Sequence, residues 1–271
     1  MTFGEKPASV DESGRGSLLT RLRSYLLFVP LVYLYTGVMG ASSLLSSFAD
    51  RDGRIQHWFA RTWAKINLKT MSVRVEMEGL DRVNVSEPAV YAVNHSSALD
   101  ILLLYASLPM QFRIMAKKEL FAYPFLGWHL RRSGQIPVDQ EDARASLRSL
   151  NRASETLRDG MPLVVFPEGG RSPDGQLLEF MGGAFYAALK AKVPVVPVVI
   201  LGARDLLPMN SFHVLPGTVE MIFCDPVPTN GMTPRDMDKL SARVRQVMAD
   251  VYYARTGTMS ARNQIAPQLF S

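Results

Sequence analysis

His95 and Asp100 stand five residues apart in Asn94-His95-Ser96-Ser97-Ala98-Leu99-Asp100, between the apolar runs Ala89-Val90-Tyr91-Ala92-Val93 and Ile101-Leu102-Leu103-Leu104. An imidazole can take a proton near neutral pH, and a carboxylate on its other nitrogen fixes the tautomer and stabilises the imidazolium that forms. The pair is a candidate general base with its orienting group. The flanking runs read as a buried strand feeding an apolar helix, a junction that exposes side chains beside free backbone N–H groups. On that reading Asp100 lies about one and a half turns into the helix. Ser97-x-x-Asp100 also fits a capping box, in which Asp100 stabilises a helix start and takes no part in chemistry.

A second constellation, Phe166-Pro167-Glu168-Gly169-Gly170-Arg171-Ser172, follows the apolar strand candidate Pro162-Leu163-Val164-Val165. Gly169 and Gly170 let backbone approach a ligand closely, and Arg171 offers a two-pronged fork for a phosphate or carboxylate. Glu168 can accept a hydroxyl or orient the arginine. Lys117, beside Lys118, is a further phosphate contact on the same logic. Taken singly, each also fits an ordinary Gly-rich turn or a solvated charge pair.

The elements that must position these groups alternate. Ser72 to Met77 has the period-two pattern of a half-exposed strand, and Phe112 to Ala116, Ile136 to Val138, Val193 to Ile200 and Thr218 to Cys224 supply further strands. Helices are predicted over Glu141 to Arg158, with Ala143, Leu147, Leu150, Ser154 and Leu157 on one face, over Gly182 to Lys192, and over Pro234 to Arg255. Strand–helix alternation predicts an α/β domain with a mostly parallel central sheet flanked by helices.

Ahead of that domain, 25 residues from Tyr25 to Ala49 carry no charge. That is long enough to cross a bilayer, although Pro30, Gly37, Gly40 and four serines leave a membrane-dipping helix or hairpin open. Arg54 to Thr70 reads as an amphipathic helix whose Ile55, Trp58, Phe59, Trp63 and Ile66 suit a lipid interface, or a packing face on the main domain. The expected organisation is a disordered tail at 1–16, membrane-associated helices at 17–70, the α/β domain at 71–255 and a flexible tail at 256–271.

Composition narrows the function. The 30 Lys and Arg against 25 Asp and Glu give +5, pointing to an anionic membrane surface or phosphorylated substrate; nucleic acid has only net charge in its favour. The single cysteine, Cys224, excludes an internal disulfide and a multi-cysteine zinc site, and histidines at 57, 95, 129 and 213 form no metal-ligand spacing, so no metal is expected.

The combination carries more than its parts. Asn94-His95-x4-Asp100 followed by Phe166-Pro167-Glu168-Gly169-x-Arg171-Ser172 resembles the first and third signature blocks of the glycerolipid acyltransferases, the 1-acylglycerol-3-phosphate acyltransferase group. Ala116 to Phe121 with Pro124-Phe125-Leu126-Gly127 resembles the segment between them, and Val193 to Val198 the fourth block. Two departures stand out: the second block usually ends Ile-Asp-Arg where this chain reads Val138-Asp139-Gln140, and the third has threonine where Gly170 stands. Arg131, Arg132 or Arg144 could replace the missing charge.

The resemblance implies transfer of a fatty acyl group from acyl-CoA or acyl carrier protein to the free hydroxyl of 1-acylglycerol 3-phosphate, giving phosphatidic acid in phospholipid synthesis. No cofactor is implied beyond the donor substrate. His95 would act as base, oriented by Asp100, with the oxyanion met by backbone N–H groups at the start of the Ser96 helix. Glu168, Gly169, Gly170 and Arg171 would hold the glycerol phosphate, helped by Lys117. The partners are membrane lipids, a lysophospholipid acceptor and the thioester donor, and the expected location is the cytoplasmic face of the plasma (inner) membrane. Another lysolipid or glycerol acceptor remains an alternative, as does a membrane-associated serine hydrolase using Ser96, Ser97 or Ser172, which lacks a Gly-x-Ser-x-Gly elbow here.

Overall fold

The computed structural model describes residues 18–50, 52–139 and 141–257. The two predicted tails at 1–16 and beyond Gly257 fall outside the described residues, and so does Gln140.

The uncharged segment is helical throughout, as α1 (Leu18–Arg23), a π turn (Ser24–Phe28) and α2 (Val29–Ser46). The π turn sits where Pro30 lacks an N–H and would crowd the carbonyl of Leu26 in a regular helix, so widening the turn relieves the clash. Leu18–Ser46 is one helix long and apolar enough to cross a membrane, and little of it is buried in the protein. At 1.5 Å per residue its 29 residues reach about 43 Å. No hairpin forms within the uncharged run; the chain turns back only at α3 (Arg54–Thr70), which packs along α2 with Trp63 Nε1 donating to Thr36 Oγ1 at 3.0 Å.

α3 turns part of its aromatic stripe outward. Its protein-buried face is Gln56, His57, Ala64, Asn67 and Leu68, while Ile55 and Trp58 of the aromatic stripe are exposed. The stripe therefore does not pack as a unit on the main domain. Buried His57 lies edge-on to Phe112 at 4.9 Å, and burial, reinforced by Arg61 and Arg113, pushes its pKa down to about 4. As pH falls from 6.5 toward 4 the unfolded chain takes up a proton that folded His57 refuses, so stability is present above pH 6.5 and lost below it. The loss should reach about 3 kcal/mol. Denaturant melts of the wild type and His57→Phe over that range check it: the variant should lose this part of the acid sensitivity.

The domain is built on a seven-stranded sheet ordered β1-β7-β6-β2-β5-β3-β4, from β1 (Val73–Glu78), β2 (Val90–Val93), β3 (Arg113–Lys117), β4 (Ile136–Val138), β5 (Leu163–Val165), β6 (Val195–Leu201) and β7 (Gly217–Phe223). β2 to β6 run parallel, and the β1-β7 pair runs the other way, joined antiparallel to β6. The predicted mostly parallel sheet flanked by helices is what forms.

Both faces are covered, which is why the strands read as continuous apolar runs. Tyr91, Val93, Val164, Val198 and Ile200 enter one core with α3 and α4 (Leu99–Ser107); Val90, Ala92, Leu163, Val165 and Val199 enter the other with α6 (Ala143–Arg158), α7 (Gly183–Ala191) and α9 (Met237–Thr256). Helix α6 starts at Ala143 because the Asp142 side chain caps the N–H groups of Arg144 and Ala145. Its expected apolar face holds only at the carboxyl half: Ser154 and Leu157 are buried, Leu147 is exposed.

Candidate active site

Period-two geometry places His95 before any side-chain contact is considered. Tyr91 and Val93 face the core that holds α4, so His95, two residues on, emerges on the same face at the carboxyl end of β2. Phe166 does likewise after Val164 on neighbouring β5, and the two rings stack with centroids 4.1 Å apart. Asn94 sets the strand end: its Nδ2 donates to Ile200 O at 2.9 Å and its Oδ1 accepts from Ile200 N at 2.7 Å, prolonging the β2–β6 ladder through a side chain.

Asp100 is fully buried in the first turn of α4, closer to the helix start than a turn and a half, because Asn94 to Ala98 are not helical. Its Oδ2 accepts from His95 Nδ1 at 2.8 Å, Ser96 N at 2.8 Å and Ser97 N at 2.9 Å. Two backbone N–H donors on that oxygen make it an acceptor, so Nδ1 carries the proton and Nε2 keeps its lone pair. The cap and the orienting contact are one and the same atom. The Ser97 half of the capping box differs from expectation: its hydroxyl accepts from Leu99 N and donates to Leu207 O at 2.7 Å. His95 keeps 18% of its side chain exposed, enough for a substrate hydroxyl to reach the ring.

One sequence expectation fails here. The N–H groups of Ser96 and Ser97 point into Asp100, and His95 N donates to Glu168 Oε1 at 2.7 Å, so these donors are not free to receive an oxyanion.

The second constellation is stitched onto the first. Glu168 Oε1 takes His95 N and Oε2 takes Leu178 N at 2.8 Å, while Ser172 N donates to His95 O at 2.8 Å. Both backbone polar groups of His95 are thus held by the Phe166–Ser172 loop. Glu168 is buried, and its pKa is raised by burial against the pull of those two N–H donors. It makes no ion pair with Arg171, which corrects the suggestion that it orients that arginine. Gly169 adopts φ +69°, a left-handed turn that favours glycine. Gly170 does not, and a Cβ there would meet nothing within 4 Å, so the threonine usual in this block would fit.

Arg171 is half-buried and, among the described residues, has no ion pair. Lys117 ends β3 at the same carboxyl edge and is exposed. Its neighbour Lys118 is engaged by Asp139 at 2.9 Å. Asn94, Phe166 and Ser172 are the residues whose roles sequence reasoning missed; the only signal was their place in the quoted blocks.

Two of the three alternative serines are engaged, and the cysteine is buried. Ser97 donates to Leu207 O and Ser172 to Gln176 O at 2.6 Å, and buried Cys224 has its thiol pushed up to about 11 by desolvation. Among the described residues no group of His, Cys, Asp and Glu side chains could hold a metal ion.

A buried Asp holding a partly exposed His at the carboxyl edge of a mostly parallel sheet, beside an arginine without an ion pair among the described residues, fits an α/β acyltransferase domain. Comparison with known proteins makes the class specific. A family model described as Acyltransferase matches residues 74–201. The chain is 36% identical over 176 residues to a chloroplastic 1-acyl-sn-glycerol-3-phosphate acyltransferase of Arabidopsis thaliana, covering 64% of this chain and 49% of that protein. It is 32% identical over 197 residues to a Caenorhabditis elegans protein provisionally named for the same activity, covering 72% of this chain and 70% of the relative. The crystal structure of the 1-acyl-sn-glycerophosphate acyltransferase PlsC from Thermotoga maritima superimposes with a TM-score of 0.73 at 26% identity, over 89% of this chain and 99% of that one. The chain belongs to the 1-acyl-sn-glycerol-3-phosphate acyltransferase family. It spans only about half the length of the Arabidopsis relative.

Proposed function

We propose that this protein transfers a fatty acyl group from an acyl thioester, acyl-CoA or acyl carrier protein, to the free hydroxyl of 1-acylglycerol 3-phosphate, giving phosphatidic acid. The observation that carries this reading is the His95–Asp100 pair at 2.8 Å with an unpaired Arg171 on the loop that grips His95. His95 Nε2 removes the acceptor's hydroxyl proton as the oxygen attacks the thioester carbonyl. The C–S bond then breaks, and the imidazolium returns the proton to the departing thiolate. No covalent acyl-enzyme and no cofactor is needed. Because the Ser96 and Ser97 N–H groups serve Asp100, the oxyanion is met by other donors. Glu168 acts through His95 and the loop, and Arg171, helped by Lys117 from the same sheet edge, takes the acceptor phosphate; Gly169 and Gly170 shape that loop.

The exposed faces of α2 and α3 support membrane association, with Leu18–Ser46 as anchor and the catalytic edge on the cytoplasmic side of the plasma (inner) membrane. Purified protein in detergent, offered both donor types and a panel of lysophosphatidate, glycerol 3-phosphate and phosphate-free lysolipids, should form phosphatidic acid by mass; acylation of only another acceptor refutes the assignment. Within that assay Arg171→Ala should raise KM for lysophosphatidate by about 10- to 100-fold, from the loss of a charge-assisted hydrogen-bond pair, with kcat less affected. An unchanged KM removes Arg171 from the phosphate site.

A further inference from the structure

Between β3 and α5 (Leu126–Arg132) the chain displays large apolar side chains to the outside: Tyr123 is 60%, Phe125 69% and Trp128 55% exposed, with Leu120 and Leu126 beside them. This is not a loose loop. Phe121 is buried as its root, and Gly127 packs so closely that a Cβ there would lie 2.1 Å from the Phe121 carbonyl oxygen. The same carbonyl accepts from Arg131 Nη2 at 2.6 Å, and Gly127 N donates to Tyr123 O at 2.8 Å. Phe125 itself sits at φ +61°, a strained backbone for a side chain of its size. A rigid frame thus holds aromatics outward where water is a poor neighbour.

The patch continues into the apolar helix. Ser43 of α2 hydrogen-bonds His129 Nδ1 of α5 at 3.0 Å, and the Arg132 guanidinium stands 4.9 Å from the ring of Phe48, which is itself exposed like Leu45. Phe125 and Trp128 pack edge-to-face at 5.4 Å, and Lys117, Arg131 and Arg132 flank the aromatics. Tryptophan and tyrosine over apolar bulk, bordered by cations and continuous with a membrane-length helix, is the composition of a lipid headgroup boundary.

We propose that Leu120–Trp128 is a second lipid-inserted element, independent of the N-terminal helix. It rests on the membrane reading above and sharpens it. The segment begins where β3 ends, at the sheet edge that carries His95, so its insertion brings the catalytic edge to the bilayer surface. Two anchors on different parts of the fold fix the tilt of the domain, as one helix cannot. An amphiphilic acceptor could then reach His95 without leaving the lipid layer.

The test uses the full chain reconstituted in vesicles of phosphatidylcholine and phosphatidylglycerol, with bimane attached at Phe125→Cys, at Trp128→Cys as a second reporter, and at Glu87→Cys as a reference ahead of β2. Native Cys224 is buried and does not compete for label. Brominated acyl chains should quench the Phe125 and Trp128 labels and leave the Glu87 label bright, with aqueous iodide doing the reverse. Iodide quenching of all three alike overturns the proposal. So does a label shielded from both quenchers together with disulfide-linked dimers of the unlabelled Phe125→Cys protein under mild oxidant, since the patch would then meet a second copy of the chain. Acyl transfer measured on the same vesicles separates the two readings: lipid quenching without any transfer would strike the proposed activity and leave the membrane contact standing.

Discussion

His95→Ala is expected to lower kcat by about 10³-fold while leaving the fold in place. The ring has Nδ1 occupied by Asp100, which leaves Nε2 to take a proton. The backbone of residue 95 stays clamped after truncation, because Glu168 and Ser172 hold its N–H and C=O rather than its side chain. What stability is lost comes from the stack on Phe166, about 1 kcal/mol, and from the hydrogen bond to buried Asp100, about 1–3 kcal/mol. Single-turnover acyl transfer followed by product mass, together with a thermal melt, checks both halves. Near-normal transfer by a folded variant would remove His95 from the chemistry.

Asp100→Asn should cost both activity and stability, in proportions that separate its two roles. The amide oxygen can still accept from Ser96 N and Ser97 N, so the helix start survives. It carries no charge, however, so the imidazolium formed in the transition state loses its counter-ion, and kcat should fall by about 10²-fold or more. The amide NH₂ takes the place of Oδ1, which is buried and has no partner among the described residues. Two buried donor protons are thereby left unsatisfied, for about 1–3 kcal/mol of lost stability. An unchanged kcat with a lowered Tm would reduce Asp100 to a cap. A fall in kcat with KM unmoved is the expected result.

The contrast between these two variants shows how far the chain could be read on its own. Strand and helix order, the uncharged N-terminal run and the pairing of His95 with Asp100 are all local properties: periodicity, charge absence and a five-residue spacing. Glu168 was visible as a residue of interest, yet its task was not. Its carboxylate reaches across 73 positions to the His95 N–H, a contact created by β5 lying beside β2, and no local pattern encodes that neighbour relation. The oxyanion donors were misassigned for the same reason. A helix start offers free N–H groups in general, and only the fold of Asp100 back onto Ser96 and Ser97 shows that these are spent.

The amphipathic reading of α3 left two partners open, lipid or protein. Counting apolar residues located the aromatic stripe correctly, but which stripe faces protein is decided by what packs there. Buried Gln56, His57 and Asn67 face the domain, and Trp58 faces outward. The segment after β3 shows the same limit: in sequence it stands only as the block between two others, and the close packing of Gly127 and the φ of Phe125 are what display Tyr123, Phe125 and Trp128.

By itself, then, the sequence determined the class of fold, the spacing that pairs His95 with Asp100, and the blocks that mark the family, because each lies within a few residues of chain. The tertiary structure decided which groups brace His95, which N–H donors are already taken, that Arg171 has no counter-ion among the described residues, and which aromatic residues face away from the protein. Those depend on strands distant in sequence meeting at one sheet edge, and burial, charge pairing and exposure exist only after they have met.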